Sequence, residues 1–396
     1  MSTTPKLLLK GLLQRESFVS GNTVLALQEK LGQYFNAKVF VVNSGRSAIY
    51  LALKTLGIGH GDEVLIQAYT CNAVPNPVLW SGAVPVYVDI DAETLNMDLQ
   101  DLKSKITANS KAIIVQHTFG NPARIREILK IAEQYKLKVI EDCAHSLGAK
   151  VDSKLLGTFG DLAILSFGRE KVISSLSGGA LIVNDHALEE KAERLTYDLK
   201  DLPKRKVLQE VANYFSWRLL FRRIHPKKWG GIFIRYLYQF DSINVVTSQK
   251  ELSGLKPSWY PSKMPDILAK LALQEFEKID SYNNKRKEIA EKYFQKLASS
   301  TVKLIGPHEG VYLRVVGLHP KAILILEEAK KRKLALGTWY NSVVYPEGVH
   351  LARLGYRSGS CPVAEQVAAQ TLNLPNYLGM TDTEVEKVVN LIRSFG

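Results

Sequence analysis

The stretch GTFGDLAILSFGREKVISSLSGGALIV, residues 157–183, decides the fold. It predicts an apolar strand over residues 163–167, with the hydroxyl of Ser166 close to the strand's end. Lys171 follows Ser166 by five positions, and the pair Gly178-Gly179 precedes the next apolar run. A lysine that is held in a cavity can lose its proton and attack an aldehyde. The stretch therefore predicts a reactive amine just beyond the end of a buried strand.

Segments with helical and strand-like periodicity alternate around this stretch. Strands are predicted over residues 63–67, 84–88, 112–116, 138–140, 163–167 and 180–183, and helices over residues 47–56, 74–80 and 125–135. Strands separated by helices of about ten residues favour a predominantly parallel sheet with both faces covered. The fold class is therefore α/β, and ligands are expected at the carboxyl ends of the strands. A long amphipathic stretch, residues 267–293, is predicted to bridge a large domain to a smaller C-terminal one.

A turn of small residues, Asn43-Ser44-Gly45-Arg46-Ser47, opens the first predicted helix. Backbone N–H groups at a helix N-terminus, together with the positive end of the helix dipole, favour a phosphate dianion. Gly45 would let the backbone approach such a ligand closely. A helix cap without any ligand explains the same residues equally well.

An acidic pair, Glu141-Asp142, follows the strand predicted over residues 138–140, and His145 comes three positions after Asp142. A carboxylate at the carboxyl end of a strand can stay charged opposite a cationic ring nitrogen, and His145 can face the same cavity. The alternative is a helix cap at Asp142 and a buried core histidine.

A helix terminus, a carboxylate and a lysine, which follow one another in this order along the chain, are what pyridoxal 5'-phosphate needs. The lysine holds the cofactor aldehyde, the carboxylate pairs with the pyridinium nitrogen, and the helix terminus with nearby hydroxyls holds the phosphate. Each element alone has an ordinary structural explanation, and their combination favours this cofactor.

The composition of the 396-residue chain, with 46% hydrophobic and 23% charged residues, is typical of a folded soluble protein and excludes disorder. The longest apolar runs, such as residues 112–115 and 322–326, are far shorter than the roughly 20 residues of a membrane-spanning helix. No secretory segment is apparent near the start, so a cytoplasmic protein is predicted. The three cysteines lie far apart, which argues against a disulfide framework and a thiolate zinc site. No metal site and no nucleic-acid partner are predicted.

The charge, 52 basic against 39 acidic residues, is concentrated in one segment. Residues 204–235 hold nine lysines or arginines against the single acidic residue Glu210, a sum of +8. Aromatic residues are interleaved with these charges up to Tyr238. The basic aromatic segment, residues 204–238, would suit either peripheral contact with the anionic inner membrane face or a polyphosphate-binding surface. A solvated helix whose apolar stripe packs on the domain is the alternative.

The ordered motifs of the chain resemble a known family. They are VNSGRSAIYLALKTLGIGHGDEVLIQAYT, GAVPVYVDID, HTFGNPA, IEDCAHSLGA, GTFGDLAILSFGREK, SGGALIVND and CPVAEQVAAQTLNLPNY. In this order and spacing they are similar to those of the PLP-dependent sugar aminotransferases of the DegT type. The resemblance covers roughly three quarters of the chain. It implies the three-layer, type I PLP-dependent transferase fold, with a large mainly parallel sheet domain and a smaller C-terminal α/β domain.

The resemblance also implies roles for single residues. Lys171 would carry the cofactor as a Schiff base, Asp142 would pair with the pyridine nitrogen, and His145 would lie near the ring's phenolic oxygen. Ser166, Gly45 and Arg46 would bind the phosphate, the last two through backbone N–H groups.

The chain departs from the family pattern at four places. Thr70-Cys71 stands where relatives have Thr and a ring-stacking aromatic residue, which leaves Tyr69 as the nearest aromatic residue for the cofactor ring, beside Cys71. Arg46 replaces a threonine, and Pro261-Ser262-Lys263 replaces Asn-Tyr-Arg. Ser177 replaces the acidic residue before the Gly-Gly pair.

The predicted function is PLP-dependent transfer of an amino group from glutamate to a keto sugar carried on a nucleoside diphosphate, in a homodimer. A PLP-dependent sugar dehydratase is one alternative, although the dehydratases that lack the lysine carry a histidine there, and Lys171 argues against this. A non-catalytic sugar-binding or regulatory member of the fold is the other alternative. The predicted domains are an N-terminal arm over residues 1–20, a large PLP-binding domain over 21–262 with an insertion at about 200–245, and a small domain over 263–396.

Overall fold

The computed structural model describes residues 5, 7, 8, 11, 14–216, 247–307 and 309–396. The strands in chain order are β1 (Lys38–Val42), β2 (Glu63–Gln67), β3 (Thr70–Cys71), β4 (Val84–Val88), β5 (Ser110–Gln116), β6 (Lys138–Asp142), β7 (Lys150–Val151), β8 (Lys154–Leu155), β9 (Leu162–Ser166), β10 (Gly179–Val183), β11 (Lys303–Leu304), β12 (Val315–Leu318), β13 (Val344–Tyr345) and β14 (Thr371–Leu374). The helices are α1 (Asn22–Phe35), α2 (Gly45–Leu56), α3 (Pro75–Ser81), α4 (Leu99–Lys105), α5 (Ile125–Tyr135), α6 (Glu189–Tyr197), α7 (Lys204–Ser216), α8 (Gln249–Leu252), α9 (Asp266–Phe276), α10 (Ile279–Leu297), α11 (Ala322–Lys331), α12 (Pro362–Gln370) and α13 (Asp382–Arg393). Short 3-10 turns lie at Arg15–Phe18, Thr118–Gly120, His186–Leu188 and Leu351–Leu354.

A seven-stranded sheet forms the centre of the large part of the molecule. Its strand order is β1-β10-β9-β6-β5-β2-β4, and β10 runs antiparallel to both of its neighbours. The remaining neighbours pair in parallel. The predicted α/β fold with a mainly parallel sheet is confirmed.

Helices cover both faces of this sheet because its strands are apolar on both sides. Alternate residues of β1 enter opposite cores, with Phe40 and Val42 on one face and Val39 and Val41 on the other. The first core includes the buried face of α2, and the second includes those of α1 and α9. Strands buried on both faces read as continuous hydrophobic runs, which is how most of them were recognisable from the sequence.

A smaller antiparallel sheet, in the order β11-β12-β14, is formed by residues near the C-terminus. Helices α10 and α13 contribute Ile289, Tyr293, Val385 and Val389 to its core. The amphipathic stretch predicted over residues 267–293 consists of two helices, α9 and α10, which are separated at Glu277 and Lys278. The break lets α9 pack against the large sheet and α10 against the small one. The predicted domain boundary at residue 262 stays a prediction.

The first turn of α1 is capped by a residue distant in sequence. Gly21, at the N-cap position, has no side chain that could accept these N–H groups. Asp266, the first residue of α9, instead accepts the backbone N–H groups of Gly21, Thr23 and Val24 at 3.0, 3.3 and 3.1 Å. This carboxylate joins the two helices that pack together on one face of the large sheet.

The basic aromatic segment lies partly within the described residues. Helix α7 buries Val207 and Val211 in the core of the large sheet while Lys204 and Arg205 are exposed. The apolar stripe of α7 therefore packs on the domain, as expected if this part of the segment is a solvated helix and not a binding surface. The rest of the segment, 217–238, lies outside the described residues. In the described part of the chain, every helix is too short or too polar to cross a membrane.

Candidate active site

A cavity of about 600 Å³ lies at the carboxyl ends of the parallel strands. It is lined by Gln116, Asp142 and Ser166, which are the last residues of β5, β6 and β9. The start of α2 forms another part of its wall. Because neighbouring parallel strands end at the same edge of a sheet, residues far apart in sequence meet here. The cavity lies where the sequence predicts a ligand site.

Lys171 lies in this cavity, on the loop between β9 and β10. Its Nζ is 2.9 Å from Nε2 of His145 and 5.4 Å from a ring centroid of Trp339. Burial lowers the pKa of Lys171 below its ordinary value, against the opposing effect of the negative charge of Asp142. The predicted reactive lysine is thus held where the unprotonated amine is favoured.

His145 is the hydrogen-bond donor to Lys171. Its Nδ1 accepts the backbone N–H of Phe119 at 3.3 Å, so the proton of the neutral ring is on Nε2. Burial, together with the nearby positive charges of Lys171 and Arg314, holds the pKa of His145 well below its usual range. In this tautomer Nε2–H can donate to Nζ of Lys171 when that amine is unprotonated.

The Asp142 carboxyl group lines the same cavity and is 5% exposed. Its Oδ1 accepts the backbone N–H of Ala144 at 3.0 Å. Burial raises the pKa of Asp142, while that N–H and the positive charge of Lys171 oppose the rise. The residues after Asp142 form turns and not a helix, so the helix-cap alternative is wrong. The carboxyl group is available to a cationic partner in the cavity.

Two glycines allow the start of α2 to approach the ends of β9 and β10. A Cβ on Gly45 would lie 3.1 Å from Cβ of Ser166. A Cβ on Gly179 would lie 2.5 Å from the carbonyl carbon of Ser44 and 2.6 Å from the backbone nitrogen of Gly45, closer than atoms can pack. Ser44 caps α2 by accepting the N–H of Ser47, and the first turn contains no acidic residue. The helix terminus and the Ser166 hydroxyl thus share one wall of the cavity, a setting that favours an anion.

Arg46 lines the cavity, but its side chain is engaged elsewhere. Its Nε lies 2.9 Å from Oε1 of Glu251, a carboxylate that is itself buried. Burial acts to lower the pKa of Arg46, but the charge of Glu251 outweighs it and raises that pKa. The guanidinium charge is balanced within the protein, so a role in phosphate binding rests on the backbone N–H, as the sequence analysis implies.

The structure separates the two residues proposed to flank the cofactor ring. Cys71 is half-buried and lines the cavity. Tyr69 is fully buried away from the cavity wall, because its hydroxyl is 2.8 Å from Oγ1 of Thr371 and its ring packs edge-on against Tyr340. Of these two neighbours on the chain, the structure brings Cys71 and not Tyr69 to the site.

An aromatic wall formed by Trp339, Tyr340 and Tyr345 was missed by the sequence analysis. Tyr345 belongs to β13, which pairs in parallel with β3 and so reaches Cys71. Trp339 lies nearly parallel to the imidazole of His145 at 5.8 Å, and Phe119 lies on that ring at 5.6 Å. The density of aromatic residues between 339 and 345 was the available signal, although their pairing with β3 is a long-range contact.

Glu141 lies inside β6, not after it, and points away from the cavity. Its oxygens accept the backbone N–H groups of Gly157, Phe159 and Gly160 at 2.6 to 2.9 Å, and Oε2 is 3.3 Å from Nε2 of His117. Cys143 lies nearby, and the three side chains have the ligand types of a metal site. The hydrogen bonds already occupy both oxygens of the carboxylate. Glu141 therefore has a structural role, in which it holds the loop before β9 in place.

A family of known proteins matches most of the chain. The model of the DegT/DnrJ/EryC1/StrS aminotransferase family matches residues 4–215 and 236–393. Residues 216–235, within the basic aromatic segment, fall outside this match.

Individual relatives match along most of the chain. GDP-perosamine synthase from Escherichia coli O157:H7 is 28% identical over 95% of this chain and 90% of its own length. UDP-N-acetyl-3-dehydro-alpha-D-glucosamine 3-aminotransferase from Acidithiobacillus ferrooxidans is 27% identical over 96% of this chain and 91% of its own length. A putative sugar aminotransferase from Streptococcus pneumoniae, solved in its PLP form, has the same fold with a TM-score of 0.76, at 20% identity over 100% of this chain and 96% of its own.

Proposed function

The chain belongs to the DegT/DnrJ/EryC1/StrS aminotransferase family, and from this we propose that it transfers an amino group, with pyridoxal 5'-phosphate, from an amino acid to a keto sugar carried on a nucleoside diphosphate. The observation that carries the proposal is the buried Nζ of Lys171, which lies 2.9 Å from Nε2 of His145 in a cavity that the carboxyl group of Asp142 also lines. Relatives named for GDP-, UDP- and dTDP-linked sugars support the substrate class.

The residues present fit the cofactor. Gly179 and Gly45 let the start of α2 pack directly against β9 and β10, so that the terminus of α2 and the Ser166 hydroxyl share one wall of the cavity, as a phosphate site at a helix terminus requires. Asp142 offers a carboxylate for the ring nitrogen, and Lys171 offers an amine for the aldehyde. We propose that Gly45, Arg46 and Ser166 hold the phosphate, with His145 and Cys71 beside the ring. When bound, the cofactor supplies a carbonyl that accepts an amino group and a ring that withdraws electrons.

The protein's own groups would move the protons of the reaction. Nζ of Lys171 would take a proton from the amino-acid carbon held next to it and deliver it to the cofactor's carbonyl carbon in the same half-reaction, and in the second half it would move a proton in the opposite direction. Asp142 would keep a proton on the ring nitrogen by its negative charge. His145 would orient Nζ through Nε2–H, and its stacking between Phe119 and Trp339 fixes the imidazole plane.

The proposal is tested with the purified protein in two separate half-reactions. We expect a visible absorption band that borohydride fixes to a peptide containing Lys171. Addition of glutamate is expected to bleach this band, and addition of a keto sugar nucleotide to restore it with formation of an amino sugar, identified by its mass. A colourless protein that takes up no added cofactor, or labelling of another lysine, would overturn the assignment.

Three finer parts of the proposal concern assembly and location. We propose a homodimer in the cytoplasm, as the resemblance implies, and peripheral contact with an anionic membrane through the basic aromatic segment. The +8 charge and interleaved aromatic residues of that segment support the membrane contact, as does the position of residues 216–235 outside the family match.

A further inference from the structure

A second cavity of about 330 Å³ adjoins the first. The two share Glu170, Trp339 and Tyr345 as lining residues. Trp339 forms part of the boundary between them, since it lines both cavities. Arg314, the residue immediately before β12, lines the second cavity.

The guanidinium group of Arg314 is poorly satisfied by the protein. It lies 4.8 Å from a ring centroid of Trp339, and its closest carboxylate oxygen, on Glu170, is 3.6 Å away. Among the residues that the structure describes, it makes no hydrogen bond, although a guanidinium offers five N–H donors. Glu170 is more than half exposed and can turn to solvent. The donors of Arg314 are therefore available to a ligand.

Two further polar groups lie near Arg314, the buried guanidinium of Arg286 and the side chain of Asn376. Arg286 is 7% exposed, and burial, together with the positive charge of Arg314, lowers the pKa of Arg286 to about 10. The guanidinium groups of Arg286 and Arg314 thus repel each other. The carboxylate paired with Arg314 is that of the half-exposed Glu170. Asn376, which lines the cavity and is 6% exposed, has a side-chain oxygen without a hydrogen-bond partner in the described part of the chain. That oxygen can accept from an N–H or O–H of a bound molecule.

The position of Arg314 relative to Lys171 indicates which anion. Nζ of Lys171 and the guanidinium of Arg314 both lie against the Trp339 side chain. A molecule whose amino group reacts with the cofactor carbonyl beside Lys171 could therefore extend an acidic group past Trp339 to Arg314. A single carboxylate would replace the one negative charge of Glu170, whereas a diphosphate would bring more charge than this side of the site balances.

We propose that Arg314 binds a carboxylate of the amino-acid donor, and so selects the donor independently of the sugar nucleotide. Arginine matches a carboxylate through two parallel N–H···O hydrogen bonds, which lysine cannot reproduce. The inference rests on the proposed function, and it assigns to Arg314 a part in the first half-reaction alone.

The test separates the two half-reactions. We expect Arg314→Gln to raise the glutamate concentration for half-maximal bleaching of the visible band about tenfold to a hundredfold, the range of a lost charged hydrogen bond. The sugar nucleotide concentration for half-maximal recovery of the band is expected to stay unchanged. Glu170→Gln, which removes the competing carboxylate, is expected to lower the glutamate requirement. Arg332→Gln on α11, whose guanidinium pairs with Glu328 at the surface, serves as the matched control.

A second measurement does not depend on catalysis. Glutarate, a dicarboxylate without an amino group, is titrated into the cofactor-free protein by calorimetry, and Arg314→Gln is expected to weaken its binding by a similar factor. Equal effects of Arg314→Gln on both half-reactions, a larger effect on the sugar nucleotide, or unchanged glutarate and glutamate binding would each overturn the proposal. A wild-type protein that binds glutarate through Arg314 but shows no bleaching would refute the proposed function and leave the carboxylate site standing.

Discussion

Lys171 is an unusual residue because its side chain is buried and its pKa is lowered. Lys171 is favoured as an amine because burial disfavours its charge and because the neighbouring His145 donates to its lone pair. A group with these properties must destabilise the folded protein wherever the unfolded chain binds the extra proton. The reactivity of the site is thus linked to a measurable cost in folding.

Replacement of Lys171 by methionine tests that link. Because the folded pKa is lowered, the unfolded chain binds more protons below the ordinary lysine pKa of about 10.4, and stability rises with pH up to that value. We expect Lys171→Met to be more stable than the wild type in cofactor-free protein at neutral pH, with a difference that shrinks as pH rises toward 10. Urea unfolding at several pH values measures it.

The matched control is Lys330→Met, at an exposed position on α11. It reports how much the replacement of a lysine by a methionine changes stability at a position that is not buried. A stability gain for Lys171→Met that grows with pH would contradict the assignment of a lowered pKa.

Much of the site was predictable at the level of single residues. Lys171, Asp142, His145, Ser166 and Gly45 all meet in one cavity, because strand ends and helix starts can be recognised from local apolar runs and turn residues. The aromatic wall was not predictable in this way. Tyr345 reaches the site through the pairing of β13 with β3, and the backbone of Trp339 is held by the side chain of Asn373 in β14, and local periodicity carries no information on such contacts.

At the scale of elements, the loop between β6 and β9 depends on one buried carboxylate. Glu141 was predicted to lie beyond its strand, in the position of a possible ligand group, whereas the strand continues through it. Glu141 can lie buried inside the strand because backbone N–H donors from residues 157–160 satisfy its charge. Those donors are distant in sequence, so a local pattern does not reveal them.

We expect Glu141→Gln to destabilise the protein by about 2–4 kcal/mol, since the amide would direct an N–H₂ group at backbone donors in a buried place. Thermal or urea unfolding measures this. Glu288→Gln, which removes an exposed carboxylate paired with Lys285, is the control and should change stability by less than about 0.5 kcal/mol. A similarly small effect for Glu141→Gln would show that the loop is held by other contacts.

The junction of α2 with β10 is the second element that a single change can test. Gly179→Ala places a Cβ against the backbone of Ser44 and Gly45, which cannot move without shifting the helix start. We expect a loss of about 1–3 kcal/mol in stability and a weaker affinity for pyridoxal phosphate.

Gly379→Ala is the control for this junction, because a Cβ there meets no atom within 4 Å. Unfolding curves and cofactor titration followed by absorbance report the two effects separately. Unchanged cofactor affinity in a destabilised Gly179→Ala protein would argue against a phosphate site at the start of α2.

At the scale of the whole molecule, the positive charge is unevenly distributed along the chain. The chain carries a net charge of +13, and residues 204–235 contribute +8 of it. Exposed charge contacts weaken with salt over a Debye length of about 10 Å at 0.1 M, whereas packing of an apolar stripe does not. Salt dependence therefore distinguishes a binding surface from a packed helix.

We expect the protein to co-sediment with anionic vesicles at low salt, to dissociate from them as salt is raised, and not to bind neutral vesicles. Each basic residue near the membrane surface would contribute about 1 kcal/mol at most to the binding free energy. Replacing Arg222, Arg223, Lys227 and Lys228 by glutamine should abolish the binding. If vesicles fail to bind the wild type at low salt, the membrane contact is excluded. A changed Michaelis constant for the sugar nucleotide in the fourfold variant would instead assign these charges to the substrate.

The carboxylate of Asp266 at the start of α1 has a consequence for synthesis of the chain on the ribosome. Asp266 follows Gly21 by 245 residues, so α1 leaves the exit tunnel long before the acceptor for its first N–H groups has been translated. Its packing partner α9 is equally late. The first long helix to be made is therefore among the last to be fixed, and nascent chains that stop short of residue 266 should expose it to proteases and chaperones.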